Sequence, residues 1–317
     1  MKKSFLKTRV LSLENAGLIL ACLLGSWVQG NSQDLEPRAY IRVPVNANVI
    51  LPGFSYSQGK VLTDPTLPLK DFKANVETIT LGYARTFSLF GLTAQAFAVQ
   101  PFAFAHASAD VNGQFTSADR TGLADLRARV SVLLLGGKAL RLTEFLKNKP
   151  PRRTIIGTSV TMQAPTGQYF SDKLVNLGTS RWAFKPEIAL SQPIGKRWLL
   201  DLYTGVWLFT NNDSYYPGNK LRSQDPIGAI QTHISYNIGA FAWAAFNATY
   251  YFGGNSTVDG KTNDDHVSNV RVGGTLVIPT GKKSGLKFAI STGALVARGS
   301  DFTTASLGWS YTWFGKK

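Results

Sequence analysis

The sequence predicts an all-β fold: a transmembrane antiparallel up-and-down β-barrel of about twelve strands, preceded by a cleaved signal peptide. Three observations predict it. The N-terminus has the pattern of an export signal, successive stretches alternate apolar and polar residues, and long polar connections alternate with mostly short turns. Period-two alternation gives a strand one apolar and one polar face. Long external loops and short periplasmic turns are typical of outer-membrane barrels.

A predicted signal peptide at residues 1–30 leaves a predicted barrel domain at residues 31–317. Basic residues at 2, 3, 7 and 9 precede an apolar run at 18–24, which is too short to span a bilayer. A loose lipobox at 19–22 is the alternative, but the apolar run continues past Cys22. Since Cys22 is the only cysteine, the mature chain has neither disulfides nor thiol chemistry.

The net charge of +15 raises the question of a nucleic-acid partner. The basic residues are dispersed along the chain rather than clustered, and an exported protein rarely meets nucleic acid. We therefore expect no nucleic-acid partner. The expected location is the bacterial outer membrane.

The alternating stretches define twelve predicted strands in order. They lie at 38–56, 76–87, 92–106, 123–135, 154–164, 181–191, 198–210, 227–238, 241–252, 267–278, 286–296 and 303–313. The stretch at 92–106 alternates poorly, and the connection at 136–153 is long enough for a short amphipathic helix. A soluble sandwich is the alternative fold, but it gives no reason for long and short connections to alternate.

The last strand carries the sequence SLGWSYTW at 306–313, which resembles the C-terminal assembly signal of bacterial outer-membrane barrels. Alternation predicts that Trp309, Tyr311 and Trp313 face lipid while Ser306, Gly308 and Ser310 face the interior. Pairing with the first strand near residues 40–51 is expected to close the barrel, because an open edge cannot persist in lipid. The expected partners are outer-membrane lipid and the barrel-assembly machinery.

The predicted inner faces are polar and mostly basic. Their charged residues are Arg42, Arg127, Arg129, Arg181, Lys185, Glu187, Asp201, Arg271 and Lys287, with Asp125 as a further carboxylate. One interpretation is a pore or cavity that attracts anions. The other is a charge network that only holds the wall of a narrow barrel together. A predicted solute path combines aromatic and polar inner residues: Tyr203, Trp207, Gln231, His233, Phe241 and Trp243.

Other chemistry has weak support in the sequence. His106 with Ser108, and His233 with Ser235, place a base and a hydroxyl on one face of a strand, as in an outer-membrane phospholipase. Hydrogen-bonded lumen histidines explain these pairs more simply. The stretch NDDH at 263–266 offers metal-ligand atoms, but a solvated loop explains it equally well. We expect no metal and no cofactor, since zinc, phosphate-loop and nucleotide fingerprints are missing from the sequence.

Five short sequence phrases follow one another along the mature chain: LEPRAY at 35–40, LTDPTLP at 62–68, NLGTSRW at 176–182, DP at 225–226 and YYFGG at 250–254. They resemble the bacterial transporter-like family labelled putative MetA-pathway of phenol degradation, over nearly all of residues 35–314. The resemblance implies an outer-membrane barrel associated with uptake of aromatic or otherwise hydrophobic compounds.

Three functional hypotheses follow. The first is a channel or transporter for small organic solutes, probed by flux into liposomes. The second is a membrane-embedded hydrolase that uses His233 and Ser235, probed by lipid cleavage. The third is a plugged, structural or adhesive barrel whose external loops bind a partner.

Overall fold

The computed structural model describes residues 35–62, 69–111, 113–148, 151–239 and 241–315. The predicted signal peptide at 1–30 lies outside these residues. The described chain folds into seventeen strands and one short helix. The strands are β1 Ala47–Leu62, β2 Leu69–Leu89, β3 Leu92–Val111, β4 Gln114–Leu123, β5 Leu126–Leu135, β6 Ile155–Ala164, β7 Ala183–Ile194, β8 Trp198–Phe209, β9 Asn212–Tyr215, β10 Lys220–Gln224, β11 Ile227–Ile238, β12 Ala242–Gly253, β13 Ser256–Val258, β14 Lys261–Thr262, β15 Val267–Pro279, β16 Ser284–Val296 and β17 Gly299–Phe314.

No helix in the described part of the chain has the length and apolar character that crossing a membrane requires.

Antiparallel pairing joins neighbouring strands around a closed barrel. Strand β17 pairs with β1 from Ala47 opposite Phe314 to Leu62 opposite Gly299, and β2 pairs with β3. Strands β4 and β5 both pair with β3. The N-terminal half of β3 pairs with β5 and its C-terminal half pairs with β4, so β4 and β5 together occupy one strand position of the barrel. Twelve strand positions therefore enclose the bore, which confirms the predicted twelve-stranded barrel. The short strands β9, β10, β13 and β14 form a separate small sheet in the connections.

The predicted start of the first strand is wrong. Residues 35–46, which we call the plug segment, are irregular, and β1 begins only at Ala47. Two features prevent regular pairing here: Pro44 lacks an amide donor, and Arg38 and Asn46 have positive φ angles of 63° and 64°. Tyr40 consequently does not pair with the last strand but lies inside the bore.

Two connections that the sequence predicts as polar loops, at 57–74 and 108–121, are also largely strand. Strand β1 continues to Leu62 and β2 begins at Leu69, while β3 and β4 leave only residues 112 and 113 between them. The strands of these hairpins mix polar and apolar residues at the external end of the barrel, so the period-two signal there is weak.

Short turns and the C-terminal end of β17 lie at one end of the barrel, which the rule of short periplasmic turns assigns to the periplasm. The turn between β2 and β3 consists of Phe90 and Gly91, both with positive φ. The long connection at the same end contains the expected short helix, α1, at Leu142–Asn148. The loops and the small sheet lie at the opposite, external end.

The outer surface presents an apolar belt bordered by aromatic residues, as lipid contact requires. Trp309 and Tyr311 are each 39% exposed, while Ser310 and Thr312 between and beside them are buried, as the alternation predicts. Stacked pairs mark the two borders: Trp309 with Tyr311 at the periplasmic border, and Trp182 with Phe184 at the external border.

The hydrophobic core lies inside the periplasmic half of the barrel. Tyr40 and Val43 of the plug segment pack there against inward-facing residues of the wall, including Val49, Leu51 and Phe97. The plug segment thus gives the barrel an apolar interior at this level.

Candidate functional site

The plug segment enters the bore from the periplasmic end. The Val45 amide donates to the Leu140 carbonyl at 2.9 Å, and the Asn46 amide donates to the Thr86 carbonyl at 2.9 Å. The Thr86 hydroxyl in turn donates to the Pro44 carbonyl at 2.7 Å. These bonds fix the base of the segment, which then rises to the middle of the barrel.

Tyr40 holds the segment at mid-depth. Its hydroxyl donates to Glu187 Oε1 at 2.9 Å and lies 2.8 Å from Ser159 Oγ, while its ring meets Tyr203 edge to face at 5.1 Å. Burial raises the pKa of Tyr40 to about 12, so the hydroxyl is a neutral donor. The wall fits the ring closely, since a Cβ at Gly157 would overlap it.

Arg38 anchors the segment on the opposite wall. Its amide donates to Asp201 Oδ2 at 3.1 Å, and its Nη2 donates to Asn237 Oδ1 at 2.7 Å. The guanidinium lies 4.5 Å above the ring of Trp243. Burial lowers the pKa of Arg38 to about 10, so the side chain remains a cation at neutral pH. Asp201 and Trp243 therefore bind the plug segment.

A layer of charges spans the bore beside Tyr40. We call Glu36, Arg129, Lys185 and Glu187 the charge layer. Arg129 pairs with Glu36 at 3.2 Å and with Glu187 at 3.3 Å, and Lys185 pairs with Glu187 at 2.8 Å. Gln231 Nε2 donates at 3.0 Å to Glu187 Oε2, the oxygen that Lys185 also contacts, while Arg129 contacts Oε1. The space left at this level is about 20 Å³, room for a water but not for an aromatic ring.

External to the charge layer the bore widens into a cavity of about 420 Å³, which we call the vestibule. Its described lining combines cations and aromatic rings: Arg127, Arg181, Arg271 and Arg298 with Trp207, Phe209 and Tyr251. Among the described residues that line it, none is Asp or Glu. The Arg181 guanidinium lies 4.4 Å from the Phe209 ring, and that of Arg127 lies 5.8 Å from the Trp207 ring.

The structure distributes the sequence-predicted charged residues among different levels. Arg127, Arg181 and Arg271 line the vestibule, whereas Arg129, Lys185 and Glu187 form ion pairs in the charge layer. Lys287 is buried and interacts with the charge of Glu36. The assignment of Arg42 to a strand's inner face is wrong, because Arg42 lies in the irregular plug segment and its Nε donates to the Gly136 carbonyl.

The predicted solute path is also divided. Trp207 lines the vestibule, and Tyr203 and Gln231 border the small space in the charge layer. His233 is buried near Tyr203, with ring centroids 5.1 Å apart. Phe241 packs against the cluster that contains Trp243, in the periplasmic half. The aromatic residues thus lie along the bore but at three separate depths.

Sequence reasoning missed the plug residues Glu36, Arg38 and Tyr40, and the vestibule residues Phe209 and Arg298. Alternation could not find the plug residues, because they do not belong to a strand. The sequence pointed to these residues only through the phrase LEPRAY at 35–40, which belongs to the family resemblance. Phe209 and Arg298 lie where strands meet loops and the period ends.

The two His–Ser pairs have different surroundings. His106 is half-exposed on an external hairpin, with Nδ1 2.6 Å from Asp119 Oδ1. His233 and Ser235 face the bore and are fully buried, and His233 Nδ1 lies 2.9 Å from Asn247 Oδ1. In the NDDH stretch, Asp265 accepts from the amide and hydroxyl of Ser256, at 2.7 and 2.5 Å, and thereby fixes an external loop.

Comparisons with known proteins agree with this architecture. The family described as Putative MetA-pathway of phenol degradation matches residues 52–311. No curated protein matches the chain. Among solved structures, the COG4313 outer membrane channel from Pseudomonas putida F1 is similar at 21% identity and a TM-score of 0.75, over 88% of this chain and 100% of that one. The transport unit of the autotransporter AIDA-I from Escherichia coli is similar at 10% identity and a TM-score of 0.50, over 95% and 99%. At these identities the likeness concerns the fold.

Proposed function

The chain belongs to the family described as Putative MetA-pathway of phenol degradation, and from this membership we propose that it is a bacterial outer-membrane channel that admits small aromatic compounds. The vestibule is the observation that carries the proposal. Its volume of about 420 Å³ lies within the range of about 300–1,000 Å³ that small-molecule sites occupy. Its aromatic walls suit a planar ring, and its mouth lies among the external loops, where a solute arrives.

Onward passage requires the bore to open at the charge layer. The contacts that hold the plug segment there are non-covalent; they include hydrogen bonds from Arg38, Ala39 and Tyr40, and the ion pair between Glu36 and Arg129. Such contacts break and re-form, so displacement of the segment toward the periplasm would join the vestibule to the periplasmic side. We infer that transport proceeds through this displacement.

The outer face supplies the membrane part of the proposal. The apolar belt and aromatic borders suit outer-membrane lipid, and the SLGWSYTW strand forms the end of β17, where it closes the barrel against β1. We infer that the barrel-assembly machinery recognises this strand before closure. Replacement of Trp309 and Tyr311 by Ser is expected to lower the amount of folded barrel in the outer membrane, measured by its altered migration on unheated gels.

The hydrolase hypothesis has one observation in its favour, the hydrogen-bonding contact between His233 and Asn247, which orients a base as a third group would. Its weakness is location. His233 and Ser235 are 0% exposed and face the bore, so lipid on the outer face cannot reach them. We infer that the chain is not a lipid hydrolase.

The proposal is tested by tracer uptake into proteoliposomes. Benzenesulfonate and benzyltrimethylammonium are suitable solutes, because a permanent charge keeps each from crossing lipid unaided. Uptake of at least one of them above the protein-free rate is the expected result. Absence of uptake for both, from a folded barrel, would favour the plugged structural barrel instead. Release of fatty acid by the wild type but not by Ser235→Ala would establish the hydrolase.

A further inference from the structure

We propose that the vestibule is a binding site for small aromatic anions, in which arginine side chains hold the anionic group while the aromatic wall receives the ring. The inference rests on the proposed function and narrows its solute class from aromatic compounds in general to aromatic carboxylates and sulfonates. Two side chains carry it, Arg181 and Arg271.

Both guanidinium groups are buried and held in place. Arg181 contacts the Phe209 ring at 4.4 Å and donates from Nη2 to Gln224 Oε1 at 2.5 Å. Arg271 donates from Nη2 to the Phe302 carbonyl at 2.6 Å. These contacts fix the planes of the two groups, so little conformational freedom remains to be lost when a ligand binds.

Each guanidinium nevertheless has N–H groups that donate no hydrogen bond to the described residues. Within the described part of the chain, Arg181 Nη1 and Arg271 Nε and Nη1 are buried without a hydrogen-bond partner. A buried charged donor that lacks an acceptor is destabilising. An oxyanion in the vestibule would satisfy these donors, and the fork of a guanidinium fits a carboxylate or sulfonate.

The neighbouring carboxylates do not neutralise the site. Asp125 already accepts from Gln163 Nε2 at 3.0 Å and from the Thr179 amide and hydroxyl at 3.0 and 2.6 Å. Asp264 is nearly fully exposed and lies 3.9 Å from Arg298. Asp301 interacts with the charge of Arg271, and Asp125 with that of Arg181. These three carboxylates stand against four lining arginines and Arg222, whose charge also acts on Arg181. The vestibule therefore keeps an excess of positive charge.

The aromatic residues add selectivity for a ring over a simple anion. Trp207 and Phe209 lie on the same strand two residues apart, so their side chains share the inner face. Both line the vestibule together with Tyr251. A ring stacked against this wall would place its charged substituent within reach of the arginines.

The test compares two probes of similar shape and opposite charge. Wild-type proteoliposomes are expected to take up benzenesulfonate about tenfold faster than benzyltrimethylammonium, and purified protein is expected to bind benzenesulfonate more tightly than methanesulfonate in calorimetry. Equal uptake of the two aromatic ions would overturn the inference while leaving the proposed function intact. Uptake of neither would instead contradict the proposed function. Equal binding of the two sulfonates would also overturn the inference, because the ring would then contribute nothing.

Variants locate the site. Arg181→Gln is expected to weaken benzenesulfonate binding about tenfold or more, the value of a charge-assisted hydrogen bond, and to bring the two uptake rates together. Arg181→Lys keeps the charge but loses the fork, so a smaller loss is expected; it also serves if the glutamine variant does not fold. Arg120→Gln is the matched control, because Arg120 also lies at the external end but donates to the carbonyls of Val175, in a loop, and Asp119, on β4. An equal loss in the Arg120 variant would overturn the assignment.

Discussion

Removal of the Tyr40 hydroxyl is the perturbation that bears most directly on how the bore opens. In Tyr40→Phe the ring keeps its place against Tyr203 and the wall at Gly157, but the donor to Glu187 Oε1 at 2.9 Å and the contact with Ser159 at 2.8 Å are lost. Glu187 retains Arg129, Lys185 and Gln231 as partners, so the substitution leaves no buried charge unpaired.

The magnitude follows from those contacts. A hydrogen bond to a charged group contributes about 1.5–3 kcal/mol, so the equilibrium between the seated and displaced plug segment shifts about tenfold to hundredfold. Tyr40→Ala also removes the buried ring, at a cost of about 3–5 kcal/mol by analogy with other aromatic truncations. The expected order of displacement is therefore wild type, Tyr40→Phe, Tyr40→Ala.

Single-channel recording in planar bilayers measures the effect as the fraction of time spent at the conducting level. We expect that fraction to rise in the same order, with faster uptake of benzenesulfonate in proteoliposomes. Thermal unfolding of each variant in detergent serves as a control for an intact barrel. Identical open fractions in the three folded proteins would refute the role assigned to Tyr40.

Three further predictions test the wall, the interior and the outer face. Gly157→Val would overlap the Tyr40 ring and is expected to raise conductance, as Tyr40→Ala does. Gly274→Val is the control, because a Cβ there has its nearest neighbour at 3.9 Å, and no rise in conductance is expected. Glu187→Gln removes the carboxylate shared by Arg129 and Lys185 and should lower the free energy of unfolding by about 3–5 kcal/mol, more than Glu36→Gln; denaturant titration measures both, and equal losses would contradict the shared role. Leu202→Arg on the lipid face should lower the free energy of unfolding by about 2–4 kcal/mol, and Leu208→Arg, nearer the external border, should lower it less. The reverse order would contradict the assigned position of the apolar belt.

The barrel was predictable because membrane strands must alternate apolar and polar faces, and the chain does so in stretch after stretch. The last strand shows this best, since Trp309 and Tyr311 are exposed and Ser310 is buried. The first strand shows where the rule fails. Its apolar residues Val49 and Leu51 are fully buried, while Phe54 is 46% exposed. The plug segment supplies an apolar surface inside the bore. The apolar residues at the start of β1 therefore face inward against it, although alternation predicts that they face lipid.

The candidate site was predictable only in part for the same reason. Alternation identifies Arg127, Arg181, Trp207 and Arg271 as inward residues, and all four line the vestibule. It cannot distinguish them from Arg129, which is equally inward but paired in the charge layer. That distinction depends on two partners of Arg129. One is Glu187 on a neighbouring part of the wall, and the other is Glu36 of the plug segment, an irregular stretch whose path no periodicity reveals.

We propose that solute passes through the bore, by way of the vestibule and past the plug segment. Current through single wild-type barrels in a planar bilayer tests it most directly, with benzenesulfonate added to one side at a time. We expect discrete conducting steps, whose conductance falls when benzenesulfonate is added on the external-loop side. Bilayers that conduct no better with wild-type and Tyr40→Ala barrels than without protein would contradict it.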